Sequence, residues 1–308
     1  MSSHPMPASQ AFNSFSELNF TDLERSLLRP RTLMSGLLNV LVAGMTLLAL
    51  IPLFSVVWML LWRGGHKLSM LCFTELPPAP LEQGGGFGNA IAGTVIIVVL
   101  AALLAIPVGV LSAVFLAQAD SENKLAMVVR FAAKVLTGFP SILAGVFAYG
   151  AIVIVTGGFS AVAGAVAVAI LMLPTILLTA EDAIRMVPVK MREAAVGMGA
   201  TPTQVTLMVS LPTAMPGILT GIMLAVARGA GETAPLLFTA LFSNYWPMQH
   251  GRLDLLQPTA SLAVLIYNFA GTPFKNQVEL AWAAALVLVL LVLLANIVGQ
   301  VLSRRQAQ

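Results

Sequence analysis

The sequence predicts an all-α membrane protein with six transmembrane helices, on three observations. Of its 308 residues, 58% are hydrophobic and only 9% charged, and a mean hydropathy of +0.91 lies far outside the range of soluble domains. Six apolar runs each reach the roughly 20 residues that a helix needs to cross hydrocarbon. No period-two alternation suggests strands, and no fixed-period repeat suggests a solenoid.

The elements follow in order. Residues 1–34 are polar, mix both charge signs and lack a short apolar core with a cleavage-type end, so they read as a cytoplasmic extension rather than a signal peptide. Within them, 12–28 suits either a surface helix or a disordered tail ending at Pro30. Residues 35–308 form the membrane domain, with spans expected at 35–62, 89–119, 135–156, 159–180, 216–242 and 280–302. Gly157 and Gly158 make one tight turn, while 63–88, 181–213 and 243–279 are long connections. In the last of these, 258–270 is too short to span and reads as a packing segment or as a docking helix on the outer face.

Orientation follows from charge. Eleven Lys and Arg fall before the first span, between the second and third, in 181–213 and after the sixth; the opposite side holds Arg63, Lys67, Arg252 and Lys275. The excess marks the cytoplasmic face, so both termini are expected there and loops 63–88 and 243–279 outside. Trp58, Trp62, Trp246 and Trp282 then all fall at outer span ends, where indole favours the interface.

The same inventory excludes several functions. A net charge of +3 with dispersed cations forms no stripe for nucleic acid. One cysteine, Cys72, rules out an intrachain disulfide, and His4, His66 and His250 are too scattered for a metal site. No phosphate-cradling GxxxxGK[ST] segment occurs, so no cofactor is expected on this chain.

A membrane protein needs only short turns between spans, which makes 181–213 the main functional clue. Pro188 suits a first helical position, and Gly197 with Gly199 stop a helix that runs to Met198. Thr201 is a plausible N-cap, Pro202 a first position and Gln204 the partner of a capping box, opening a second helix to Leu211 that Pro212 and Pro216 end. On the first helix Glu193 offers an anchor, and Ala194 and Ala195 offer a small face for a partner backbone.

The full spacing is more specific: Glu193, Ala194, Ala195, then Gly199, then Val209, Leu211 and Pro212. It resembles the signature of ABC-importer permeases, departing only in Val209 where that signature has Ile. The resemblance implies a type I ABC-importer permease fold, with 35–308 as the permease domain and 181–213 as the loop whose coupling helix rests in a cleft of a separate cytoplasmic ATPase. ATP and Mg would be used by that partner, leaving this chain non-catalytic.

The fifth run carries a second clue. Arg228 lies 12 residues past Pro216, about 18 Å along a helix, with Glu232 a turn further on. A charge at that depth is costly and usually faces a cavity or a partner charge. Gly229, Gly231 and Pro235 around them predict irregular backbone, which at midplane lines a cavity. Arg228, Glu232 and Thr233 are therefore candidate substrate-pathway residues, Arg228 as the contact for an anion; a structural ion pair is the alternative.

The runs 227–240, 173–188 and 138–147 resemble the phosphate-import branch of these permeases, its PstA-type subunits. That resemblance implies a heterodimer with a PstC-type permease, a PstB-type ATPase dimer, an extracytoplasmic phosphate-binding protein and a place in the bacterial inner membrane. A permease for sulfate or molybdate, an ion-coupled secondary transporter using Arg228 and Glu232 as a relay, and a scaffold without transport are the competing readings.

Overall fold

A computed structural model describes residues 30–120, 122–249 and 252–306. The expected extension, including the proposed helix or tail at 12–28, lies outside the described residues apart from its last few positions. The chain divides into two units, Met1–Trp58 and Met59–Gln308.

The first unit carries α1 (Pro30–Met59) up to its last residue. It starts at Pro30, which suits a helix start because it needs no amide donor there. Leu37, Val40, Leu47 and Phe54 are exposed, the surface that a lipid-facing helix presents.

In the second unit a π-helical turn, Leu60–Gly64, and a short helix, Gly65–Lys67, precede α2 (Gly88–Gln118). Then come α3 (Lys124–Thr137), α4 (Ser141–Ala148) extended by a π turn to Ile154–Thr156, and α5 (Ala161–Arg185). The elbow helices α6 (Val189–Gly197) and α7 (Pro202–Val205) lead through a π segment, Thr206–Ser210, into α8 (Leu211–Gly231). After α9 (Ala234–Leu237) come α10 (Leu262–Ala270) and α11 (Lys275–Gln306). Among the described residues five helices are long and apolar enough to cross a membrane, or six if the bent pair Lys124–Thr137 and Ser141–Thr156 counts as one span.

The core is built on α5, which packs against α2 and α8, while α11 packs against α8 and α10. Small residues let these helices approach closely. Gly109 faces Ile176, Gly221 faces Thr179, and Gly299 faces Met223 with no room for a Cβ. Val168, Met172, Ile176 and Ile218 are sealed from solvent between them.

Several expectations need correction. The third span, expected as one helix at 135–156, is bent by 108°. Gly138 ends α3, and Pro140, which disfavours helical backbone before it, opens α4. Asn123 caps α3 through its side chain, so Lys124, Arg130 and Lys134 lie on a helix rather than in a loop. The fourth span runs on to Arg185, taking Glu181, Asp182 and Arg185 out of the expected loop 181–213.

The fifth span begins and ends earlier than 216–242. Pro212 and Pro216 do not stop a helix: Pro202–Gly231 is one spanning stretch. The reason is the π segment, whose wider turn precedes α8 and leaves Pro212 in the first helical turn, where a missing amide donor costs little. The second elbow helix, expected to reach Leu211, closes as α at Val205 for the same reason. The helix ends at Gly231, and Glu232 is extended (φ −70°, ψ 126°) rather than one turn further along.

The segment 258–270 is a packing element: Leu262, Val264 and Leu265 of α10 are fully buried. Its first turn is tied to α2, because Thr94 Oγ1 accepts from Leu262 N at 2.8 Å. The connection 243–279 also holds a two-stranded antiparallel ribbon, β1 (Met248–Gln249) with β2 (Arg252–Leu253), a small exception to the all-helical expectation. Buried Asn89 pins this region to α2 by donating to the Ser243 and Tyr245 carbonyls.

Candidate functional site

Two regions contain the sequence-predicted site residues. The first is the elbow between α5 and α8. Its tip is fixed by local chemistry: Gly199 N donates to Val196 O at 2.9 Å and Ala200 N to Ala195 O at 3.0 Å. This closes a Schellman turn that requires left-handed backbone at Gly199, whose φ is +86°. No atom stands within 4 Å of where a Cβ would be, so the demand there is conformational and not steric. Thr201 and Gln204 complete the capping box in both directions.

The elbow divides the predicted motif residues between two directions. Glu193 and Ala194 are exposed, and Glu193 has no hydrogen bond or ion pair among the described residues. Ala195 is only 4% exposed, so it packs inside the elbow and does not belong to the face expected for a partner. Leu211 packs against the main core, Val209 is half-buried and Pro212 is exposed. Around Glu193 the elbow presents apolar side chains to solvent: Met191, Val196, Met198, Leu207 and Met208. Exposed apolar side chains gathered in this way suit a contact with protein or membrane.

At the root of the elbow stands a cluster that sequence reasoning missed. Glu181, 3% exposed, accepts from Arg130 Nη2 at 2.7 Å and Nε at 2.9 Å, and from Arg185 Nε at 2.9 Å. Both guanidinium groups also donate to Leu116 O, at 3.3 and 3.0 Å. The Glu181 carboxylate and its two guanidinium partners thus tie together α2, α3 and α5. The i,i+4 pair of Glu181 and Arg185 was legible as a local signal; Arg130, 51 positions away, was not. Gln118 at the end of α2 adds a bond to Thr206 at 2.8 Å.

The second region is the end of α8. Arg228 sits in the last helical turn, where the helix dipole favours a cation. Its Nε reaches Glu232 Oε1 at 3.4 Å, a long contact, with side-chain exposures of 38% and 15%. The two terminal amino groups of Arg228 have no acceptor among the described residues. Thr233 follows at the break, half-buried (φ −107°, ψ −52°). The break is held from outside: a Cβ on Gly145 of α4 would run into Pro235 at 2.6 Å, and one on Gly229 into Val168 and Met172. Pro235 cannot donate to the Gly231 carbonyl, which is where α8 stops. The structure therefore brings Arg228, Glu232 and Thr233 together and sets them apart from the elbow residues, at opposite ends of one helical path.

Apolar helices of spanning length place the chain among multi-pass membrane proteins. It belongs to the family described as Binding-protein-dependent transport system inner membrane component, which matches residues 105–308. The phosphate transport system permease protein PstA of Yersinia pestis is 40% identical over 256 residues, covering 82% of this chain and 85% of that one. PstA of Haemophilus influenzae is 40% identical over 265 residues, covering 84% and 91%. The fold is that of a chain in the crystal structure of a bacterial alginate ABC transporter in complex with its alginate pentasaccharide-bound periplasmic protein: TM-score 0.61, 16% identity, 92% of this chain and 99% of that one.

Proposed function

We propose that this chain is the membrane-spanning permease subunit of an ATP-driven importer of inorganic phosphate. Phosphate as cargo is supported by the PstA relatives. The chain itself performs no chemistry; ATP and Mg are used by an ATPase pair of PstB type. A PstC-type permease and an extracytoplasmic phosphate-binding protein complete the assembly in the bacterial inner membrane. Both termini face the cytoplasm, 1–34 is an extension, and 63–88 and 243–279 lie outside.

The observation that carries the mechanism is the unbroken helical stretch Pro202–Gly231, with the elbow at one end and Arg228 at the other. Thirty residues make a rod of about 45 Å, long enough to cross the bilayer. The elbow's exposed Glu193, Ala194, Met191, Val196 and Met198 dock on the ATPase, while the more buried Ala195, Val209 and Leu211, with Pro212 exposed in the first turn of α8, join the elbow to the rod. Closure of the ATPase pair moves the elbow, and the rod carries that motion to the break at Glu232, giving alternating access. The Glu181 cluster keeps α2, α3 and α5 together as the frame against which the rod moves.

Arg228 contacts the anion in transit. An exposed charge on a spanning helix must face water or a partner chain rather than lipid, which fits a pathway completed by the second permease. Its contact with Glu232 is long, so the guanidinium keeps donors for phosphate, while the carboxylate prevents a permanently tight site.

The test is uptake in proteoliposomes holding the two permeases and the ATPase pair, supplied with binding protein. Phosphate uptake that requires internal ATP and resists excess sulfate and molybdate is expected. Equal competition by sulfate would favour a general oxyanion permease. Uptake driven by an ion gradient without ATP would support the secondary-transporter reading.

A further inference from the structure

A cation-rich cavity of about 560 Å³ lies where the segment Leu60–Lys67 meets the first turns of α11. Arg63, Lys67 and Lys275 line it against one carboxylate, Glu279, and the indoles of Trp62 and Trp282 form its apolar wall. Glu279 is already engaged: Lys67 Nζ lies 3.0 Å from Oε2, and also donates to Asn276 Oδ1 at 2.9 Å. Lys275 stands at 3.9 Å from the other carboxylate oxygen with its side chain 92% exposed. Arg63 has no carboxylate within ion-pair distance among the described residues, and its guanidinium lies over the Trp282 ring at 5.4 Å.

This geometry is built rather than incidental. Gly64 leaves no room for a Cβ against the Trp282 carbonyl, at 2.6 Å, and Leu286, at 3.0 Å. The close seating of Gly64 is what lays Arg63 across the indole. The position is equally specific. The spanning stretch Leu33–Lys67 ends here and Lys275–Val301 begins here, so the cavity sits where hydrocarbon gives way to headgroups.

We propose that this cavity binds the phosphate diester headgroup of an anionic phospholipid. Arg63 and Lys275 contact the phosphate, and Trp62 and Trp282 lie against the glycerol and the first acyl carbons. A net cationic recess with an aromatic wall at the membrane interface matches an amphiphile with an anionic head. Inorganic phosphate would share the charge but leave the apolar wall uncovered.

The full-length chain in a neutral detergent, titrated with phosphatidylglycerol or phosphatidylcholine and read by native mass spectrometry, tests this. Phosphatidylglycerol is expected to bind at least tenfold more tightly. Lys275→Gln and Arg63→Gln should each weaken it about fivefold and leave phosphatidylcholine unaffected. Lys275 is so exposed that its variant carries the test even if Arg63→Gln fails to fold. Equal affinity for the two lipids, or an unchanged affinity in Lys275→Gln, would overturn the proposal. Displacement of phosphatidylglycerol by millimolar inorganic phosphate would overturn it too, assigning the cavity to the free anion.

Discussion

The elbow and the break at the end of α8 interrupt the same helical path, yet they are held by different forces. The elbow is held by itself: Gly199, Thr201 and Gln204 satisfy their hydrogen bonds within a few residues. The break is held by its neighbours, with Pro235 seated on Gly145, Gly229 on Met172, and Leu236 buried. A self-capped turn can move as a unit without losing its shape. A break packed against two other helices changes only when those helices shift. Under the proposed mechanism, motion entering at the elbow would therefore be expressed as access at the break.

Four single substitutions and one charge exchange probe this difference, in order of expected effect. Glu181→Ala leaves two partly exposed guanidinium groups clustered without their shared carboxylate at the elbow root, and should cost about 2–3 kcal/mol from the lost charge-assisted hydrogen bonds. A lower melting temperature in detergent, or failure to accumulate in the membrane, is the readout; an unchanged melting temperature would remove the cluster from the frame.

Arg228→Gln should lower phosphate uptake about 30-fold or more, the effect of losing a charged contact worth roughly 2 kcal/mol, while ATP hydrolysis by the assembly persists. Exchange of the pair, Arg228→Glu with Glu232→Arg, separates the readings: retained uptake would make the two a structural pair, and loss of uptake supports contact with the anion.

Gly145→Val places methyl groups against the Pro235 backbone, and overpacking of this kind costs about 1–3 kcal/mol. Uptake should fall along with stability, because the break cannot keep its seat. Gly199→Ala meets no atom and adds only strain of about 1 kcal/mol at a left-handed position. It should spare membrane insertion while lowering the phosphate carried per ATP hydrolysed. If Gly145→Val were silent and Gly199→Ala severe for stability, the contrast between the two regions would be reversed.

The same contrast explains what the sequence made legible. Capping residues act on amides two or three positions away, so Pro188, Gly199, Thr201 and Gln204 announced the elbow directly. The six apolar runs and the Arg228–Glu232 spacing were legible for the same reason. The course of Pro202–Gly231 was not, because the π turn that leaves Pro212 in the first turn of α8 makes no local mark, and the helix runs on through Pro216. Nor was the 108° bend, which depends on how α3 packs on α5 as well as on Gly138 and Pro140. Ala195 shows the limit of motif reading: its spacing suggested a partner, while packing turned it inward. Arg130 could be joined to Glu181 only once the helices had been placed.

The rod claim is tested most directly by the distance between spin labels on either side of the π segment. Thr203→Cys and Leu224→Cys are both at exposed positions, with Cys72→Ser removing the one native thiol. In the assembled transporter their separation should stay near 31 Å, about 21 residues of helix, with and without a non-hydrolysable ATP analogue. Over the same change, the distance from Thr203 to a label at exposed Tyr267 should shift. A separation between 203 and 224 that itself changes with nucleotide would place a hinge inside the helix and contradict a rod linking the elbow to Arg228.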